Sequence, residues 1–390
     1  MSATAGSSTG PGRIRDLNRR AVLGHLRRHG TESRSALATQ LSLSPAAVSS
    51  VVQELIEDGF VQEAGPSAAQ SRPGRPVALL ELEPCAAYTL GIVLRARQGR
   101  VGVEMALSDY VGNVIHVEES LQCGLRCPTT IAGTVLEAVH QLESRVPDPA
   151  RIAGLVVGIP GVVEGARVIV APQLPAIEGD LLFNALREAF RYPFQLSNDV
   201  NLAAQSELHL QPELAESTFA YLYVGTGVGA GIVVAGAGLG GHGWAGEIGQ
   251  LRITRAEGRR ASFEELLGIE NYLAAQMREL GLEPGDFEAF THLLDERDSR
   301  AMQIAATYSE HLCDVIQVLN ATLDLDTVLI DFPHAALLAR LRPRVETVMQ
   351  DSRLTVTIGH PVMGDRAAVN GAALTALWAS LPVVEQRAIR

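Results

Sequence analysis

The apolar positions of the first eighty residues recur at helical intervals. In IRDLNRRAVLGHLRRHG (residues 14–30), Ile14, Leu17, Ala21, Val22 and Leu26 fall near one face, and His29-Gly30 ends the run. A second, shorter helix carries Ala36, Leu37 and Leu41 behind Ser33 as its cap. A third opens at Ser44 with Pro45 in its first position, turns Val48, Val51, Val52, Leu55 and Ile56 inward, and stops at Gly59. Three helices with a tight LSLS connection between the last two predict a helix-turn-helix. Two strand-like runs follow, residues 60–63 and 77–82, separated by AGPSAAQSRPGRP; they predict a β-hairpin with a long tip, the wing of a winged helix.

After Pro84 the period changes. Residues 86–120 hold three successive strands rich in Val, Ile and Gly, with turns at Gln98-Gly99 and at residues 110–112. A helix near 129–144 and the buried strand of RIAGLVVGIPGVVEG come next. A second such cycle starts at TFAYLYVGTGVGAGIVVAGAGLGG and ends in further helices and the strand TVLID. Two βββαβα cycles predict two related α/β lobes with a cleft between them. The expected divisions are a polar tail at 1–13, a winged helix-turn-helix at 14–83 and a two-lobed domain at 84–390. Its first lobe takes in about 84–204 plus the C-terminal helix, and its second about 205–375.

Length and composition fit this division. A chain of 390 residues is too long for one ordinary core, and 47% hydrophobic with 19% charged residues is usual for a globular protein. No uninterrupted apolar run is long enough for a membrane span, and MSATAGSSTGPGR reads as a polar tail without a signal-peptide core, so a cytoplasmic protein with no membrane partner is expected. Four cysteines are too few for a disulfide scaffold; Cys123 and Cys127 in CGLRC lack a second ligand pair for zinc and read as reduced thiols.

The net charge is −12, yet Arg13, Arg15, Arg19, Arg20, Arg27, Arg28 and Arg34 stand against only Asp16 and Glu32 in the first helices. A basic end on an acidic body points to a polyanion partner. The outward positions of the third helix, Ala46, Ala47, Ser49, Ser50 and Gln53, are small or hydrogen-bonding and suit base edges in a major groove. Arg72 and Arg75 in SRPGRP suit a narrow minor groove. With Ser33, Arg34 and Ser44 at the helix starts, these form the expected surface for double-stranded operator DNA. The alternative is a small helical protein-interaction domain, which the wing disfavours.

The order of SRPGRP, GIPGVV, LSNDVNLAAQSE, YLYVGTGVGAGI, GHGWAGEIGQ and GDRAAVNGAAL resembles the ROK family (repressors, open reading frames, kinases), in particular its transcriptional repressors of the xylose or N-acetylglucosamine type, over residues 14 to about 380. The resemblance implies a two-lobed sugar-kinase/actin-like (ribonuclease H-like) fold for 84–390, a homodimer or homotetramer, and a sugar or sugar derivative in the cleft. ROK kinases carry an Asp-x-Gly-Gly-Thr phosphate turn after Gly-Ile; here Gly91-Ile92 leads into Val93-Leu94-Arg95-Ala96-Arg97. The second turn, residues 225–229 (GTGVG), is intact, whereas the late Gly-Gly is replaced around Asp331-Phe332-Pro333. ATP and enzymatic activity are therefore not expected.

On the sugar side the resemblance implies Asn198, Asp199, Glu247, Gln250 and Glu264. Asn198-Asp199 also reads as a helix cap, and Glu264 equally as a solvent-exposed acid at a helix start. The family's zinc motif pairs a Gly-His with clustered cysteines; here Gln250 replaces the histidine and RAEGRRASFEELLG has no thiol, so no metal is expected and Trp244, Phe263 and Leu266 are expected to anchor the loop. The cleft motifs show no arginine cluster, which leans toward an unphosphorylated ligand. The resulting expectation is a repressor of sugar uptake or catabolism genes with a sugar effector. A sugar kinase with an added DNA-binding arm, or a regulator answering to a protein partner, are the alternatives.

Overall fold

The computed structural model describes residues 11–64, 78–97, 100–122, 128–255, 258–352 and 355–387. Helix α1 (Pro11–His29) starts before the expected boundary, so residues 11–13 are helical; the remainder of the expected tail, 1–10, lies outside the described residues. Ser33 Oγ accepts the Ala36 N–H at 3.2 Å to cap α2 (Arg34–Gln40), and Ser44 Oγ accepts the Ala47 N–H at 3.2 Å to cap α3 (Pro45–Glu57). Strands β1 (Glu32–Ser33), β2 (Val61–Ala64) and β3 (Leu79–Leu82) form an antiparallel sheet in the order β1-β3-β2. The wing tip with Arg72 and Arg75 lies outside the described residues.

Two expectations for α1 need correction. Ile14 and Leu17 are 49% and 54% exposed. The face that meets α3 runs through Arg15, Arg19, Val22, Leu23 and Leu26, and at 3.6 residues per turn Ile14 and Leu17 point away from it. The first turns therefore dock by charge: Arg15 pairs with Glu54 at 2.7 Å and Arg19 with Asp58 at 2.7 Å. This also reduces the basic patch. Arg27 and Arg34 pair with Glu385 and Glu63, so among the described residues only Arg13, Arg20 and Arg28 of the seven arginines carry no ion pair.

The first lobe contains β4 (Tyr88–Arg97), β5 (Arg100–Asp109), β6 (Val114–Gln122), α4 (Pro128–Glu143), β7 (Ile152–Ile159), the hairpin β8 (Val162–Glu164) and β9 (Arg167–Val170), α5 (Leu181–Ala189), β10 (Phe194–Asn198) and α6 (Asp199–Leu210). The second contains β11 (Phe219–Val224), β12 (Val228–Val234), β13 (Ala237–Gly238), the hairpin β14 (Arg252–Thr254) and β15 (Arg260–Ser262), α7 (Phe263–Leu267), α8 (Ala274–Glu279), α9 (Phe287–Asp295), α10 (Ser299–Leu323), β16 (Thr327–Asp331), α11 (Ala335–Asp351) and β17 (Thr357–Gly359). Helix α12 (Ala367–Arg387) closes the chain.

The sheet orders are β10-β7-β4-β5-β6 and β13-β12-β11-β16-β17. In both, the first strand is central, antiparallel to the second and parallel to the fourth. The two cycles read from the sequence are thus one topology used twice. Cys313 is buried in the second lobe and Cys85 is exposed, both as free thiols, while Cys123 and Cys127 lie outside the described residues.

Helices α6 and α12 pack together between the sheets, α6 against β11 and β12 and α12 against β4, β5 and β7. Gly371 permits their approach, since a methyl group there would run into the Leu202 carbonyl. Glu207 of α6, fully buried, accepts the Val362 and Met363 N–H groups at 3.0 and 3.1 Å and pins the loop that leads into α12. α12 is long and apolar enough to cross a membrane, but 72% of that stretch is buried in the molecule, which marks a core helix.

The far end of α12 holds the winged helix. Leu377 and Leu381 join Tyr110, Ala153 and the winged-helix residues Val22, Leu26 and Phe60 in one core. Arg27 donates to Glu385 at 3.3 Å, Tyr110 donates its hydroxyl to the same carboxylate at 3.0 Å, and the Arg27 guanidinium lies 4.8 Å from the Tyr110 ring centroid.

Two glycine substitutions of equal size are expected to act in opposite directions. Gly371→Ala forces α6 and α12 apart and costs roughly 1–3 kcal/mol. Gly133→Ala, in α4 with open space around it, stabilises by about 0.5–1 kcal/mol. Thermal melts of the full chain should show a lowered and a raised Tm respectively.

Candidate functional site

A cavity of about 250 Å³ lies in the cleft between the lobes, and Asn198, Asp199, Glu247, Gln250 and Glu264 all line it. Asn198 caps α6 as expected: its Oδ1 accepts the Asn201 N–H at 2.8 Å, and its Nδ2 donates to the Gly161 carbonyl at 3.0 Å. The amide thereby fixes the turn that delivers Asp199 to the cavity.

Asp199 does not stand free. Its Oδ2 accepts Arg95 Nη1 at 2.9 Å and its Oδ1 accepts the Val200 N–H at 3.0 Å. The same guanidinium is bidentate to Glu104, Nε to Oε1 and Nη2 to Oε2, both at 3.1 Å. Burial opposes the Arg95 charge, but Asp199 and Glu104 outweigh it and hold its pKa above the ordinary arginine value. Burial likewise pushes the Asp199 carboxyl up, with Arg95 pulling against it.

Arg95 is the residue that sequence reasoning missed. It counted only as part of the segment lacking a phosphate turn. The structure explains the segment: β4 pairs with β5 without a break from Tyr88↔Asp109 to Arg97↔Arg100, so residues 93–97 are strand. Arg95 lies opposite Gly102, which has no side chain to block it, and reaches diagonally to Glu104 on the same face. Counting register back from the expected turn at Gln98-Gly99 would have placed Arg95 beside Glu104.

Glu247 is a half-buried acid with no cationic partner among the described residues. Burial, followed by the Asp199 and Glu264 charges, pushes its pKa from an ordinary 4.5 to about 7. Gln250 Nε2 donates to Glu264 Oε2 at 3.0 Å, so the residue at the zinc-histidine position orients a second acid of the cavity wall. Glu264 is half-buried against the cavity and not a fully exposed helix-start acid. Asp331 accepts the Tyr221 hydroxyl at 2.7 Å.

The loop from 241 to 268 differs from expectation at one anchor. Phe263 and Leu266 are buried, but Trp244 is 51% exposed. The backbone at Gly243 packs against the Val163 carbonyl of β8, and Trp244 turns outward beside it. Backbone contacts replace the missing aromatic anchor: the Ala230 N–H donates to the Gly246 carbonyl at 2.8 Å, and the Phe263 N–H to the Leu251 carbonyl at 3.1 Å. Gly246, at φ 85°, sits where any side chain would strike the Ala230 carbonyl. Ser262 and Glu265 form a capping box on α7, and Arg252 pairs with Glu265 at 3.3 Å. A zinc ion does not fit this donor set, because the loop has no thiol and its one imidazole, His242, is turned to Glu164 at 3.1 Å. At the first phosphate turn the residues do not fit ATP either, since that segment is strand.

On the winged helix, Ala46, Ser49, Ser50 and Gln53 are exposed along α3. Ser50 donates to Glu54 at 3.3 Å and Gln53 to Glu57 at 2.9 Å, both bonds within the helix. Ser33 and Ser44 serve as caps, and Arg34 is held by Glu63 at 3.0 Å.

A winged helix-turn-helix joined to two lobes of matching topology, with a polar cavity between them, defines the sugar-kinase/actin architecture carrying a DNA-binding domain. Residues 15–62 match the winged helix-turn-helix DNA-binding family and residues 96–379 the ROK family, and the chain belongs to the ROK family. It is 28% identical over 245 residues to a xylose repressor of Caldicellulosiruptor bescii, covering 62% of this chain and 60% of that protein. It is 23% identical over 351 residues to the xylose repressor of Lactiplantibacillus pentosus, covering 88% of this chain and 89% of that one. The N-acetylglucosamine repressor of Escherichia coli O6:H1 is 27% identical over 245 residues, 62% of this chain and 58% of its own. The chain thus spans about 60% of the length of the C. bescii repressor it matches. Among solved structures, a ROK family transcriptional regulator homologous to the E. coli MLC protein superposes with a TM-score of 0.75 at 19% identity, covering 95% of this chain and 98% of that one. A ROK hexokinase from Thermus thermophilus gives 0.59 at 22% identity, covering 74% and 97%.

Because Glu247 has its pKa raised to about 7 on folding, the folded protein keeps a proton that the unfolded chain releases between about 4.5 and 7, and stability falls as pH rises through that window. Glu247→Gln removes the penalty. It is expected to match the wild type at about pH 4 and to exceed it at about pH 8 by about 1–2 kcal/mol after allowance for solvent at the cleft mouth. Thermal melts at the two pH values check the sign.

Proposed function

We propose that this chain is a DNA-binding transcriptional regulator, a repressor of sugar uptake or catabolism genes in the cytoplasm, whose ROK domain binds a sugar as effector and does not phosphorylate it. The observation that carries the non-catalytic half is the Arg95–Asp199 ion pair. By family resemblance, Asp199 is the group that in the kinases takes the proton from the attacking hydroxyl. Here one oxygen is held by a guanidinium and the other by a backbone N–H, and the neighbouring strand offers no phosphate turn. The winged helix and the repressors among the relatives support the DNA-binding half.

Helix α12 supplies the coupling. Gly364, Asp365 and Ala368 at its start line the cavity, and Glu385 near its end holds Arg27 of α1. A sugar that favours one lobe arrangement then favours one placement of the winged helix. In a homodimer or homotetramer, two such domains are set against half-sites of an operator. In this reading α3 lies in the major groove, with Ser49, Ser50 and Gln53 at base edges, and Arg72 and Arg75 follow the minor groove.

Gel-shift titration on the promoter region of the protein's own gene, with and without a panel of monosaccharides, tests the reading. Gln53→Ala is expected to weaken specific binding about tenfold or more. Arg72→Ala with Arg75→Ala should weaken binding to all sequences and flatten its salt dependence. Glu385→Gln should still bind DNA but respond less to sugar. ATP-dependent phosphorylation of any hexose in a coupled assay, or DNA affinity indifferent to every sugar, would refute the corresponding half.

A further inference from the structure

We infer that Arg95 bars phosphate from this cavity, so that the effector is a single sugar ring that is unphosphorylated at the hydroxyl meeting Asp199. The inference rests on the reading of the cleft as a sugar site and narrows it to one chemical class. A phosphorylated sugar needs a cation, a set of open backbone amides or a helix N-terminus to receive the dianion, and this cavity sets one arginine against the carboxylates of Glu104, Asp199, Glu247, Glu264, Asp331 and Asp365.

Arg95 is the one arginine or histidine lining the cavity among the described residues, and all of its nitrogens are engaged. Three of its five N–H groups are already given to Glu104 and Asp199, and drawing its charge toward a phosphate would weaken both ion pairs and leave those carboxylates, 12% and 11% exposed, beside a new dianion. Backbone amides offer less than the pair of phosphate turns of a kinase would. Residues 93–97 are strand, and in the Gly225–Gly229 turn the Gly225 N–H is spent on the Gly227 carbonyl at 2.9 Å. The positive end of α6 faces the cavity with Asp199 in its first turn, and Asp365 of the 364–366 turn stands ahead of α12. Glu247, Glu264, Asp331 and Asp365 add carboxylates with no cationic partner among the described residues. A volume of about 250 Å³ is at the small end for ligand sites and leaves room for one ring.

The opposite possibility, that Arg95 swings from its carboxylates to a sugar phosphate, is the outcome that would overturn this. Isothermal titration of the full-length protein should compare D-glucose, D-xylose and N-acetylglucosamine with glucose 6-phosphate and N-acetylglucosamine 6-phosphate. The expected result is that a neutral sugar binds and its phosphate ester binds about 100-fold more weakly or not at all. Glu104→Gln, which frees one side of the guanidinium, should narrow that gap to about tenfold or less. If the phosphate ester binds as tightly as the parent sugar or more so, the exclusion is wrong while the sugar cavity stands. If the gap is unchanged in Glu104→Gln, Arg95 is not its source. If nothing in either class binds, the sugar reading itself fails and this inference with it. Should the variant not fold, the wild-type comparison alone decides the ligand class.

Discussion

Helices α6 and α12 touch at a point where no side chain fits between them, and the two lobes are organised around that contact. Gly371 lies against the Leu202 backbone, and Glu207 ties the loop before α12 back to α6. Because α6 continues from β10 of one sheet yet packs on β12 of the other, and α12 lies under β4 and β7, the pair belongs to both lobes. Both helices begin at the cavity. Whatever binds there meets residues carried by the one element pair that cannot shift without moving a lobe.

The same constraint gives the DNA-binding domain its seat. Arg27 is almost fully buried between the Glu385 carboxylate and the Tyr110 ring, and removing a partner from such a site costs more than the exposed pairs of Arg15 or Arg34 can contribute. The basic composition of α1 is therefore mainly a docking device. Arg15 and Arg19 fasten it to α3 and Arg27 fastens it to the body. Among the described residues, few arginines of α1 are thus left without a carboxylate partner.

Features set by near neighbours in the chain were legible without the structure. The caps at Ser33, Ser44 and Asn198 and the repeated strand cycle follow from local chemistry and period, and the five cleft residues do converge. The misreadings are tertiary. Ile14 and Leu17 have the spacing of a core stripe, but ion pairs to α3 rotate α1 away from it. Trp244 is the kind of residue that anchors a loop, yet close packing of glycine backbone anchors this one instead. Arg95 is invisible to motif comparison because its meaning depends on strand register and on Glu104 nine residues later.

The proposed reading asks different things of a kinase-type cleft. Catalysis requires a base left free to accept a proton and a turn open to phosphates. Sensing requires only that a ligand bind two lobe arrangements with affinities differing by a few kcal/mol. A carboxylate in a buried cavity without a cationic partner is costly, and Arg95 offsets that cost for Asp199 and Glu104 together. In the neighbouring loop, hydrogen-bonded backbone, a capping box and the Gln250–Glu264 bond stand where the family's zinc motif would be. Both replacements exchange a bound group for contacts within the chain, and both leave the acceptors that a sugar's hydroxyls need.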